Sequence, residues 1–173
     1  MSPTNDIARS IATARTYLAE HPDEARYTDS PASAVVEDGL RCRVEGPHGF
    51  ALSTDMPSGV GGNATGPSPG WVARAAQAAC DATVIAMRAA ELGITLQRLE
   101  VVVDGESDDR GLLGMDDGIP AGPFSSRIQV RISADGVDPA TLRDLVLWAD
   151  EHSPVSDAFR RAVPTSVELD TSG

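Results

Sequence analysis

The chain is 173 residues long and carries 14 basic side chains, all Arg, against 26 acidic ones, a net charge of −12. Nucleic acids and anionic membranes both recruit clustered basic surface, so this balance excludes either as an expected partner. At 41% hydrophobic residues the length suits one domain with its own core.

Ile7, Ile11, Ala14 and Leu18 share one face of a helix expected over Asn5–Glu20, which Pro22 brings to a stop. Ser33–Glu37 and Leu40–Glu45 flank Asp38-Gly39, a dipeptide suited to a hairpin turn. Leu40, Cys42 and Val44 alternate with Arg41, Arg43 and Glu45, the period of a half-buried strand. Phe50–Thr54 is a third strand, and Met56–Ser68, rich in Gly, Pro and Ser, is too long for a tight turn.

Ser68-Pro69 opens a long helix, with Ser as N-cap and Pro at the first helical position. It runs through Trp71–Leu92 and stops at Gly93, with Ile94 placed for a Schellman-type contact. Apolar on several sides and rich in Ala, it reads as the buried central helix. Thr95–Asp104 is a strand, Gly105–Pro123 an acidic Gly-rich excursion, and Phe124–Ala134 a strand that pairs with the first. Asp138-Pro139 caps a helix to Asp150, Ser153-Pro154 opens a short one to about Ala162, and Ser166–Leu169 reads as a last strand. Hairpins with segregated helices define an α+β class. The expected organisation is a helical extension over residues 1–24 and a single domain over 25–173.

No apolar run approaches the roughly 20 residues of a membrane span. Met1–Asp6 lacks the basic and apolar regions of a signal peptide, so the expectation is a soluble cytoplasmic protein. Cys42 and Cys80, the only cysteines, sit in no CxxC pair and no zinc-like cluster, so neither a structural metal nor a cofactor is expected. Cys80, midway along the central helix, reads either as a small buried hydrophobe or as a free thiol with a chemical task. Its neighbour Asp81 would disfavour a thiolate if the two shared a site, but consecutive helical residues diverge by about 100°. Cys42 reads as core packing, with Arg41 and Arg43 on the opposite strand face. Ser153 reads as a helix cap. Gly61–Gly66 lacks the GK[ST] ending of a phosphate loop, and the chain contains no Lys. Asp108-Asp109 and Asp116-Asp117 lack calcium-loop spacing and read as solvated acidic loop.

One order of motifs ties these segments together: Asp55-Met56-Pro57, Gly61-Gly62-Asn63, Gly66-Pro67-Ser68-Pro69, Ala75–Cys80, Gly93-Ile94 and Ser153-Pro154-Val155. From Leu52 onward the chain thereby resembles the OsmC/Ohr family of thiol-dependent hydroperoxide reductases. The resemblance implies antiparallel sheets packed around a long central helix, in an intertwined homodimer with two sites at the subunit interface. It also implies a helix Cys that an organic hydroperoxide oxidises to a sulfenic acid. A second Cys, in a Cys-Pro-Val setting, then resolves that product as a disulfide. An Arg from the N-terminal sheet and a Glu near the helix start assist the thiolate.

Cys80 holds the peroxidatic position, and Arg41 or Arg43 is the candidate Arg. Ser153 stands where the resolving Cys belongs, and Gly70 where the Glu belongs. Three readings follow. The chain is a single-Cys peroxidase whose cycle an external thiol (or Cys42) completes, a non-catalytic member holding a small hydrophobic ligand at the dimer interface, or a structural descendant without chemistry.

Overall fold

The structure, a computed structural model, describes residues 3–172. Met1, Ser2 and Gly173, the outer ends of the ranges 1–24 and 25–173, lie outside the described residues. Helix α1 (Pro3–Glu20) leads to an antiparallel sheet of β1 (Ser33–Asp38), β2 (Arg41–Glu45) and β3 (Ala51–Thr54). The long helix α2 (Pro69–Glu91) follows, then β4 (Leu96–Glu106), the short helix α3 (Asp109–Leu112) and β5 (Ser125–Ala134). Helices α4 (Pro139–Glu151) and α5 (Pro154–Arg160) complete an α+β architecture. Among the described residues no helix is long and apolar enough to cross a membrane.

Helices α2, α4 and α5, which open on Ser68-Pro69, Asp138-Pro139 and Ser153-Pro154, are capped as those pairs dictate. Ser68 Oγ accepts from Trp71 N–H at 3.2 Å, and Asp138 from Ala140 and Thr141 N–H at 2.9 and 3.0 Å. Ser153 Oγ accepts from Ser156 N–H at 3.4 Å. Helix α2 ends in a full Schellman motif, with Gly93 N–H donating to Ala90 O and Ile94 N–H to Ala89 O. Gly93 takes the left-handed conformation this demands, at φ +69°.

The core lies between α2, α4 and the β4–β5 ribbon. Ile85 and Ala89 of α2 meet Leu145 and Ala149 of α4, and Leu99, Val101, Val130 and Ile132 close the cluster from the ribbon. The ribbon's other face is polar: Asp104 stands opposite Arg127 and Glu100 opposite Arg131, both pairs ion-bonded across the strands. The sheet β1–β3 packs chiefly on itself and has no extensive contact with the helices or the ribbon. Its apolar Val35, Val36 and Phe50 are exposed.

Four expectations need correction. The first hairpin turns at Gly39-Leu40, one residue later than Asp38-Gly39, because Asp38 still pairs with Arg41. The Gly105–Pro123 excursion is not all loop: β4 continues to Glu106, and Asp108 caps the short helix α3. Helix α2 is not buried all round, since its core face is covered while Trp71 and Met87 are exposed. Ser166–Leu169 forms no strand, because no neighbouring strand in the chain pairs with it, and Val167 and Leu169 stay exposed.

Candidate functional site

Cys80 lies on the face of α2 that the core does not use. The spacing of Cys80, Val84, Met87 and Glu91 puts them in one line along the helix. That line floors a cleft of about 580 Å³, walled on one side by Ile11 and Arg15 of α1. Trp148 of α4, His152 at its C-terminal cap and Pro154 of α5 form the other wall. Cys80 is half-buried there.

The α4 wall is held rigidly. The Arg88 guanidinium lies 4.3 Å from the Trp148 ring centroid, and the His152 ring stacks on Trp148 at 3.9 Å. His152 Nδ1 is 2.7 Å from Trp148 O, and since a carbonyl only accepts, this ring nitrogen is the donor. At the far end of the cleft Glu91 pairs with both Arg15 and Arg88.

Asp81 points away from Cys80, as the angular step along a helix allows. Its side chain is buried and ends a chain of hydrogen bonds through the interior. Ser126 Oγ donates to Gln77 Oε1 at 2.8 Å, and Gln77 Nε2 donates to Ser156 Oγ at 3.2 Å. Ser156 Oγ donates in turn to the Asp81 carboxylate at 2.8 and 3.1 Å. This chain ties α2 to β5 and α5, and so fixes the middle of the helix on the side away from Cys80. The short-range motif reading does not contain it, because its partners are as far apart as 79 residues in sequence.

The other candidate residues take different places. Ser153 is fully buried and its hydroxyl caps α5, while the next residue, Pro154, reaches the cleft. Gly70 sits in the first turn of α2 and brings no carboxylate. Arg41 and Arg43 line a separate hollow on the sheet β1–β3 together with Glu37 and Ser53. There Arg41 pairs with Glu37 at 3.5 Å and Arg43 with Glu45 at 2.5 Å, so one chain alone does not bring either to Cys80. Cys42 is half-buried on the same sheet, away from the cleft.

The loop that leads into α2 is organised by Asp55, whose buried carboxylate accepts from Met56, Asn63 and Thr65 N–H and from Thr65 Oγ1. Thr65's backbone donor is the main reason its pKa lies below the usual carboxylate value. In the acidic excursion Arg110 grips Asp108 through both carboxylate oxygens and holds its pKa down at about 2.

A long helix beside a separate N-terminal sheet and an antiparallel ribbon defines the α+β class of this chain. A family model described as OsmC-like protein matches residues 61–168, and the chain belongs to this family. A search of curated proteins finds no match. Among solved structures, an organic hydroperoxide resistance protein OsmC from Legionella pneumophila is 23% identical with a TM-score of 0.58, over 78% of this chain and 91% of that one. An OsmC-like protein from Mycoplasma pneumoniae reaches a TM-score of 0.66 at 15% identity, over 78% and 89% of the two chains. An OsmC-like protein of unknown function from Vibrio cholerae reaches 0.64 at 11% identity, over 76% and 94%. At these identities the likeness establishes the fold.

Proposed function

We propose that this protein reduces organic hydroperoxides through Cys80 as its single peroxidatic thiol. The observation that carries the reading is the position of Cys80, half-buried at the floor of an apolar cleft, on the helix that belongs to the family match. The Cys80 thiolate attacks the outer peroxide oxygen, the O–O bond breaks, and the alkoxide leaves as the alcohol after taking a proton from solvent. Cys80 is then a sulfenic acid. Ser153 offers no sulfur, so an external dithiol completes the cycle. One thiolate attacks the sulfenic sulfur as water leaves, and the second displaces the Cys80 thiol while the dithiol closes to a disulfide.

Two copies of the chain form the working unit in this proposal. The exposed Val35, Val36 and Phe50 of the N-terminal sheet and the exposed Val167 and Leu169 support it, since a second copy would cover them. The partner's sheet is also the means by which Arg41 or Arg43 would reach a Cys80 and stabilise its thiolate.

The test is intact-mass spectrometry after one equivalent of cumene hydroperoxide, with a sulfenic-acid trap present. Rapid trapping at Cys80 is expected, with hydroperoxide consumption abolished in Cys80→Ala and nearly unchanged in Cys42→Ala. Consumption that survives in Cys80→Ala ends the reading. A second reading, a binding protein for a small hydrophobic ligand, is favoured by the apolar side chains that line the cleft with Cys80, namely Ile11, Val84, Met87 and Trp148. An inert Cys80 in a protein that still binds apolar molecules supports it.

A further inference from the structure

The tip of the β4–β5 ribbon holds apolar side chains out in solvent on a scaffold braced by hydrogen bonds. Beyond Glu106 the chain leaves the ribbon, and Phe124 N–H closes the base by donating to Glu106 O at 2.8 Å. Asp108 caps α3, and Arg110 grips the same carboxylate. The helix ends in a Schellman motif: Gly114 N–H donates to Gly111 O and Met115 N–H to Arg110 O, with Gly114 at φ +62°. Such a motif is commonly sealed by an apolar contact between the residue after the glycine and the last helical turn. Here that residue is Met115, and the positions it would cover are Arg110 and Asp109. Met115 stays exposed instead, as do Leu112 and Leu113, each of the three more than half accessible. The returning segment packs so closely behind α3 that a Cβ on Gly111 would lie 2.3 Å from Pro120 O.

Three exposed carboxylates flank these side chains along the chain: Asp109 before them, Asp116 and Asp117 after. None of the three forms an ion pair among the described residues. A second copy set face to face would oppose these charges to their like, and an anionic lipid surface would be repelled as well. We propose that this α3 crown is a docking surface for a cationic, apolar segment of another protein. Apolar side chains of that segment cover Leu112, Leu113 and Met115, and its basic residues meet Asp109, Asp116 and Asp117. The crown is ordered before the partner arrives, so docking costs it little conformational entropy. None of its residues lines the Cys80 cleft, so the inference stands apart from the peroxidase reading.

The experiment measures fluorescence anisotropy of three labelled peptides, KLLKKLLK, KSSKKSSK and ELLEELLE, titrated with the full chain. KLLKKLLK is expected to bind wild type about tenfold more tightly than KSSKKSSK, and ELLEELLE not at all. The double variant Leu113→Ser with Met115→Ser should erase the advantage of KLLKKLLK over KSSKKSSK. Asp109→Asn with Asp117→Asn should weaken KLLKKLLK about threefold and flatten its salt dependence. Glu20→Gln with Asp29→Asn removes the same charge elsewhere and should leave binding unchanged. Cys80→Ser should bind as wild type does, whatever the thiol does with hydroperoxide. Failure of KLLKKLLK to bind, equal binding of ELLEELLE, or an advantage that survives in the Leu113 and Met115 variant overturns the proposal. So does a change of oligomeric state in that variant by sedimentation velocity, which would make the crown a contact between copies.

Discussion

The buried carboxylate beside the candidate nucleophile is satisfied by a hydroxyl that belongs to another helix. Asp81 has Ser156 as its one hydrogen-bond donor among the described residues, and Ser156 in turn accepts from Gln77. Ser156→Ala removes the donor and leaves the buried Asp81 carboxyl without its hydrogen-bond partner, which costs about 1–3 kcal/mol in a denaturant titration. An unchanged midpoint would mean that solvent already reaches Asp81. Ser153, three residues earlier, does unrelated work: its hydroxyl caps α5, and Ser153→Ala should cost about 0.5–2 kcal/mol. Ser153→Cys is the more telling variant, because Pro154, the adjacent residue, shares the cleft with Cys80. Treatment with hydroperoxide should then form a Cys80 disulfide with the introduced thiol, visible as a mass loss of two hydrogens and a cross-linked peptide. If the bridge never forms, the two positions are farther apart in the working protein than the shared cleft implies.

At the scale of elements, the loop between β3 and α2 works as a preformed clamp on the helix start. Gly62 passes so close to Met56 that an added Cβ would lie 1.9 Å from the Met56 carbonyl oxygen, which explains why this position admits no side chain. Asp55 supplies the charge that gathers the loop's N–H groups, and its pKa is lowered chiefly by the Thr65 amide. A depressed carboxylate pKa gives stability that is complete above the ordinary value and is lost as pH falls through the lowered one. Amide exchange at Asn63 and Thr65 should therefore speed up, relative to the intrinsic rate, as pH drops below about 4, while the α2–α4 core stays protected. Equal protection in Asp55→Ala at neutral pH would contradict this. These elements differ in how plainly the residues announce them. The Ser68-Pro69, Asp138-Pro139 and Ser153-Pro154 caps and the Gly93-Ile94 stop are local chemistry, and the helix boundaries follow from them. The cleft is not local: Ile11, Arg15, Trp148 and His152 share it with Cys80 only because α1 and α4 flank the same helix. The Gln77–Ser126 bond likewise spans 49 residues. Nor could Ser166–Leu169 be judged from its alternation, since a strand exists only where another edge receives it.

At the scale of the whole molecule, the N-terminal sheet is the feature a single chain leaves unexplained. A three-stranded sheet with Val35, Val36 and Phe50 exposed buries too little on its own account to be a finished unit. Docked on a second copy, it would cover that surface and carry Arg41 and Arg43 into reach of the partner's cleft. Electrostatics opposes the union, because two chains at −12 bring together a charge of −24. Apolar burial must then drive association, and added salt should strengthen it by screening the repulsion. Sedimentation velocity should show a dimer that tightens from low to high salt, and Phe50→Glu or Val36→Glu should convert it to a folded monomer. The same variants should slow the reaction of Cys80 with hydroperoxide, since each removes the partner's arginines from the site. A wild-type chain that stays monomeric at every concentration and salt would sink the assembly. Arg41 and Arg43 would then have no route to the thiol, and any activation of Cys80 would have to come from groups within its own cleft.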